Sequence, residues 1–502
     1  MTILTLCGYI ALVAGFMTFL MFKYSEEVKS IWLSFLQNFC GALFIFSGFV
    51  KAVDPLGTAY KMEEYFTEFE NTAKGTFLNF TSSIFPILAK YAIGFSVFMI
   101  VLEIMIGLML ILGYKNRLSS WLFFLIMVFF TVLTGFTYLT AYVPREDNFF
   151  EFAKWTAFNA ENMRVTNCGC FGDFIKLDPK TSFTKDLFLM IPALIFLFSW
   201  RKFHSIFSSS IRSAISLLTL VGLILFCIAN YKWNEPMIDF RPFRIGTDVK
   251  TIKAAELKAM ADIKIEQWKL KNRTTNEIKL IPDEEYMKNI KSYPKTDWEV
   301  VDQIKSTPSI PKTKIADFAM YDLDGNDVTD LVLDEPRSRI MVNCPKLFYT
   351  SETTKSTIMD TVWKTDTVFT LKNPIPEIMR TVAEVKEKTV KTNHYIWEEE
   401  YKKTLTTKIL PFLDSIRQDS IKAFFVCGGA SEDALKALFG QLNVNIPIYT
   451  ADDILLKTIM RSNPGILLWR NGKIIMKWHY KLLPDMTEMR RDFLDWNAPI
   501  IH

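Results

Sequence analysis

Residues 91–112 read YAIGFSVFMIVLEIMIGLMLIL, a run whose only charged side chain is Glu103. A segment this long and this apolar matches the hydrocarbon thickness of a bilayer and exceeds the apolar stripe of a soluble helix. Working outward, similar runs stand at about Ile3–Phe22, Trp32–Val50, Trp121–Val143, Lys185–Trp200 and Ala214–Tyr231, which makes about six spans. The first has no basic leader and no small-residue cleavage site, and reads as a retained span. The fifth is short and holds Pro192, which a membrane helix tolerates where neighbours satisfy the freed carbonyl. Glu103 lies near the middle of its span, where a carboxylate is costly. It is either a functional acid or a neutral or paired group tying two helices together through Lys51.

The apolar excess is confined to this half. Over 502 residues the chain is 50% hydrophobic with a mean hydropathy of +0.16, yet beyond Tyr231 it is charged and punctuated like a soluble protein. A net charge of +4, with no long basic run, gives no reason to expect a nucleic-acid partner. Seven scattered cysteines do not make a disulfide scaffold, and four unclustered histidines do not make a metal site. The implied partners are the lipid bilayer and exported proteins.

Basic residues set the expected orientation. Lys115 and Arg117 follow the third span, and Arg201, Lys202 and Arg212 follow the fifth, so both turns are expected on the cytoplasmic side. The loop from Asp54 to Lys90, the loop between the fourth and fifth spans, and everything after Tyr231 then lie outside the cytoplasm. In a bacterium that means an inner-membrane protein with its C-terminal domain in the periplasm, where disulfides persist.

The loop before the fifth span carries Asn167-Cys168-Gly169-Cys170-Phe171-Gly172-Asp173. Two thiols separated by one glycine close only a small, strained ring, which makes a disulfide that is readily exchanged. The structural alternative, each cysteine bridging elsewhere, stands beside it. A metal site would need two further ligands that are not nearby. Cys168 is expected to be the more exposed and more acidic thiol of the pair.

Beyond Tyr231 the pattern shifts to alternating strands and short helices. Residues 232–313 form a connecting region with a hairpin around Asn272–Asn276 and a Ser/Thr/Pro/Lys linker from Ser306 to Thr313. From Lys314 the order is α/β. Phe318–Leu323 is expected to turn at Asp324-Gly325 into a second strand. Strands at Arg339–Asn343 and Ile421–Val426, a helix capped by Ser431, and a hairpin around Asn471-Gly472 follow.

The membrane half resembles the DoxX and MauE (methylamine-utilisation protein E) group. The residues carrying the likeness are Phe46-Ser47-Gly48-Phe49-Val50-Lys51 with Asp54-Pro55-Leu56-Gly57, the Glu103 helix running to Gly107 and Gly113, and Cys168-Gly169-Cys170-Phe171-Gly172. Together they cover most of Trp32 to Trp200. The resemblance implies a four-helix membrane core engaged in quinone or thiol redox work, or in maturation of exported redox proteins. The tail is similar to a thioredoxin fold, with Asn463-Pro464 at that fold's proline position. It lacks the dithiol, since Cys344 stands alone after its strand and Cys427 lies on another.

The expected fold class is therefore multi-domain: an α-helical polytopic membrane bundle (1–231), a connecting region (232–313) and a soluble α/β thioredoxin-like domain (314–502). The expected function is extracytoplasmic redox or thiol–disulfide handling through Cys168 and Cys170, with Glu103 as an intramembrane acid. An enzyme of this design would be a thiol–disulfide or quinone-linked oxidoreductase. No cofactor motif is evident; a quinone is what the resemblance brings with it. The alternative is a non-catalytic envelope scaffold carrying a degenerate thioredoxin-like domain.

Overall fold

The computed structural model describes residues 2–24, 28–165, 168–370, 373–418 and 421–493. The chain forms two compact units. The first comprises residues 1–247 with 458–462 and 477–482, and the second comprises 248–457, 463–476 and 483–502.

In the first unit, among the described residues, six helices are long and apolar enough to cross a membrane: Ile3–Tyr24, Ile31–Val53, Ala92–Leu112, Asn116–Tyr142, Pro179–Lys202 and Ser209–Trp233. The second and third spans make the closest pair. A Cβ on Gly41 would sit 2.8 Å from the Gly107 carbonyl oxygen, and one on Gly107 would sit 2.6 Å from that of Gly41. Small residues let the two backbones meet, which is how helices associate where lipid removes the hydrophobic drive. The first and sixth spans leave Leu12, Phe16, Leu217, Leu218 and Leu225 exposed, as lipid-facing surfaces do.

Two sequence expectations change here. The fifth span begins at Pro179, not Lys185. Asp178 caps it by accepting from Thr181 N at 3.0 Å, and Pro179 stands in its first turn. Its first turns are polar and escape a hydropathy reading. The stretch after the second span is not a plain loop either. Asp54 accepts from Gly57 N at 3.1 Å and opens the helix Pro55–Ala73, whose buried face holds Leu56, Ala59, Met62, Tyr65 and Phe66. Spacings of three and four residues put these side chains on one stripe.

The orientation expected from Lys and Arg predicts that a reporter fused after Arg117 or Lys202 reads as cytoplasmic and one after Lys232 as exported. An exported signal at Lys202 would overturn that arrangement.

The second unit holds a three-stranded antiparallel sheet in which Ile265–Asn272 is flanked by Ile278–Pro282 and Trp298–Lys305. A five-stranded mixed sheet runs in the order Lys473–His479, Gly465–Arg470, Arg339–Cys344, Lys422–Cys427, Ile448–Thr450. The last three strands are parallel, and Gly465–Arg470 is antiparallel to Arg339–Cys344. The peptide Asn463-Pro464 is cis. The expected strand pair at Phe318–Leu323 is absent among the described residues; Tyr321 makes only isolated bridges to Asp327 and Thr450. Asp322 accepts instead from the backbone N–H groups of Asp324 and Asn326, a local alternative to a ladder. Between Cys344 and the helix Glu399–Thr404 stands a two-stranded ribbon, Tyr349–Thr370 paired with Asn373–Trp397.

Helix Val249–Ala261 contributes Glu256, which is 1% exposed. Its carboxylate accepts from Thr313 N at 2.9 Å, Thr313 Oγ1 at 2.7 Å and Ala316 N at 3.1 Å. Glu256→Ala strands three donors and is expected to cost about 3 kcal/mol in the unfolding of the second unit. A loss below ~0.5 kcal/mol in a denaturant titration would contradict this.

Candidate functional site

The loop after the fourth span returns into the bundle and places its two cysteines among polar side chains from four elements. Asn167, the first residue of the motif, lies outside the described residues. Gly169 between the thiols has φ +63°, a left-handed conformation that side chains rarely adopt. Both thiols are free, as are the other five cysteines.

Cys168 is the more buried of the pair at 9% exposure, and Cys170 is half-buried against the helical core, so the expectation that Cys168 is the more exposed is reversed. The loop turns inward because Phe171, 2% exposed, plugs into that core.

The Cys168 thiol meets the hydroxyls of Ser182, Thr137 and Tyr65. Tyr65 and Thr137 also share a hydrogen bond of 2.7 Å. Burial pushes Cys168 above the ordinary thiol range, and the three hydroxyls partly offset it. Burial pushes Cys170 up to about 12, against the pull of Lys185 and Lys51. Its carbonyl accepts from Ser47 Oγ at 2.9 Å.

Charged side chains frame the pair from the spans. Asp186, fully buried, accepts from Thr134 Oγ1 at 2.9 Å and pairs with its neighbour Lys185. Asp186 acts electrostatically on both thiols. Glu103 and Lys51 meet at 2.7 Å with side chains 3% and 7% exposed, and the Lys51 ammonium lies 4.9 Å from the Phe130 ring centre. The third span thus presents Glu103 to the second. The two cysteines gather with Tyr65, Thr137 and the start of the fifth span.

Below the motif lies a second charged group. Segment 458–462 belongs to the first unit, and its Arg461 meets Asp54 Oδ2 at 2.7 Å and Asp173 Oδ2 at 3.7 Å. Burial alone would raise Asp54, but Arg461 holds its carboxyl below the ordinary range. Arg241 bonds Glu235 at 2.9 Å and Asp239 at 2.6 Å, and Lys477 reaches Asp239 at 3.1 Å. Burial pulls Lys477 down to about 8, with Arg241 adding to the effect.

Sequence reasoning missed Tyr65, Thr137, Ser182, Lys185 and Asp186. Asp178-Pro179 was the available signal for Ser182, because a capped start there moves it inside a helix and sets Lys185 and Asp186 beyond the first turn. It also separated Cys344 from Cys427. These are register partners at the ends of neighbouring parallel strands, both buried, and Tyr401 approaches both. Among the described residues no group of three or more His, Cys, Asp or Glu side chains is placed to hold a metal ion.

A bundle of apolar helices with buried acid–base pairs defines a polytopic membrane protein, and Lys51, Asp54 and Glu103 fall in its second and third spans and the turn between them. Residues 29–144 match the family model described as methylamine utilisation protein MauE, so the chain carries a MauE family domain over its second to fourth spans. The match ends before Cys168. No curated protein and no solved structure matches the chain.

Proposed function

We propose that this protein handles thiols and disulfides at the extracytoplasmic end of an inner-membrane bundle, exchanging them with exported partners through Cys168 and Cys170. The observation that carries this reading is the pair of free thiols, one residue apart, held among three hydroxyls and the Lys185/Asp186 pair. A bland packing site would not need a buried carboxylate and ammonium beside it.

In the oxidised state a partner thiolate attacks one sulfur of the Cys168–Cys170 disulfide. A mixed disulfide forms, and the other cysteine leaves as a thiolate and takes a proton. The partner's second thiolate then attacks the mixed disulfide, leaving the partner oxidised and both cysteines reduced. Reoxidation passes two electrons and two protons to an acceptor, for which a quinone is the chemical class proposed. Asp186 is the carboxylate placed to take a thiol proton, and Lys185 is the cation placed to favour the thiolate.

The second unit serves in this reading as a docking module of thioredoxin-like type. Parallel strands at its centre, an antiparallel neighbour and a terminal hairpin support that likeness. The periplasm is its proposed compartment. The scaffold alternative draws on Cys344 and Cys427, which are buried and offer no exposed dithiol.

Trapping thiols in cells with an alkylating mass tag tests the reading. Cys168 and Cys170 should shift together between reduced and oxidised with added reductant or oxidant; a pair that never oxidises would sink it. The raised thiols add a pH signature. With Cys170 at about 12, roughly one thiol in 10,000 is ionised at pH 8, so alkylation of the reduced protein should rise about tenfold per pH unit.

A further inference from the structure

The turn after the third span and the turn after the fifth interlock at the end of the bundle opposite the cysteines. Gly113 ends the third span at φ +63°, and a Cβ there would lie 1.9 Å from the His204 carbonyl oxygen. Ile206 N donates to Leu112 O at 3.1 Å, and the Arg212 Nη1 group donates to Gly113 O at 2.6 Å. These contacts frame a recess of about 820 Å³. Among the described residues its lining includes five cationic residues, Lys29, Lys115, Arg117, Arg201 and Arg212, and no carboxylate. Among the described residues none of the five is paired with an acid. The Arg212 Nε group is buried without a hydrogen-bond partner. Trp121 and Trp200 stand in the same wall, and the Arg201 guanidinium lies 5.2 Å from the Trp200 ring centre.

We propose that this recess binds the phosphate headgroup of an anionic glycerophospholipid. Cations from three inter-helix turns, without an acid partner among the described residues, converge on one cavity, which is the arrangement that recognises a phosphate at a helix-bundle end. The planar forks of Arg117, Arg201 and Arg212 suit phosphate oxygens. The volume takes a glycerophosphate group, and tryptophans are the side chains that settle at headgroup level beside acyl chains. A buried guanidinium N–H without a partner is costly, and a phosphate oxygen would satisfy it.

The shared chemistry is a phosphate ester, so the test separates lipid from free anion. The full chain, purified in a neutral detergent, is incubated with phosphatidylglycerol, phosphatidylcholine, or soluble glycerol phosphate, and retained molecules are counted by native mass spectrometry. Phosphatidylglycerol should be retained in preference to phosphatidylcholine. The Arg117→Gln/Arg201→Gln variant should lose about tenfold or more of that retention, since each basic group at a membrane surface contributes comparably. Both residues are exposed, so the fold should persist. Lys74→Gln/Lys90→Gln, which leaves the recess intact, should behave as wild type. Equal retention of the two lipids would overturn the proposal. So would an equal loss in the Lys74/Lys90 variant, which would mean diffuse charge. Retention of glycerol phosphate as strong as that of the lipid would overturn it in favour of a soluble-anion site.

Discussion

Cys170→Ser is expected to accumulate a mixed disulfide between Cys168 and an exported partner, and Cys168→Ser is expected to show little or none. A single remaining cysteine is trapped when its thiolate attacks a partner's disulfide, the reverse of the exchange above, and each unit of thiol pKa changes the thiolate population tenfold. Three hydroxyls offset burial at Cys168, whereas burial carries Cys170 up to about 12. The adduct on a non-reducing gel should therefore be clearly stronger in Cys170→Ser than in Cys168→Ser. Burial of Cys168 adds a kinetic requirement, because the Cys168–Phe171 loop must open before a partner sulfur reaches it. Softening the plug with Phe171→Ala should speed trapping while lowering stability by about 3 kcal/mol or more. Should both single mutants lose abundance equally with no adduct, the pair is structural.

The architecture was legible where one physical term dominates. Residues 91–112 and their fellow spans are recognisable because transfer of a long apolar helix outweighs every local preference. Legibility failed where polar residues are inside for reasons of partnership. Thr181-Ser182-Phe183-Thr184 falls in the expected loop, yet Ser182 is fully buried beside the Cys168 thiol, and Asp186 is fully buried with Thr134 as its hydrogen-bond donor. Those partners come from distant positions, and no local pattern encodes them. The same holds for Cys344 and Cys427, whose adjacency depends on the parallel register of Arg339–Cys344 with Lys422–Cys427. The ribbon of Tyr349–Thr370 with Asn373–Trp397 is not among the strands expected from the sequence, although its Thr- and Val-rich stretches suit them. Cys168 was expected to be the more exposed thiol because Cys170 precedes the apolar Phe171, yet Phe171 plugs into the helical core and Cys168 is the more buried of the two.

Lys51→Met is expected to destabilise the first unit by about 3–5 kcal/mol, because it leaves the Glu103 carboxylate buried without its cation. Thermal unfolding of the full chain in detergent, followed by the loss of folded protein, reads this directly. Glu103→Leu leaves Lys51 in the same predicament, apart from its contact with the Phe130 ring, and should cost a similar amount. The double variant Lys51→Met/Glu103→Leu removes both charges at roughly conserved volume and should recover most of the loss, to within about 1–2 kcal/mol of wild type. The recovered protein then separates the two roles open to Glu103. If the pair only ties the second and third spans together, the double variant should oxidise and reduce Cys168 and Cys170 at the wild-type rate. If the pair serves the thiols, abundance should return while cycling stays slow. Lys51 acts electrostatically on Cys170, so its removal withdraws one of the two cations that favour the thiolate there, leaving Lys185 alone. The slow-cycling outcome is the one expected, and normal cycling in a stable double variant would reduce Glu103 to a structural tie.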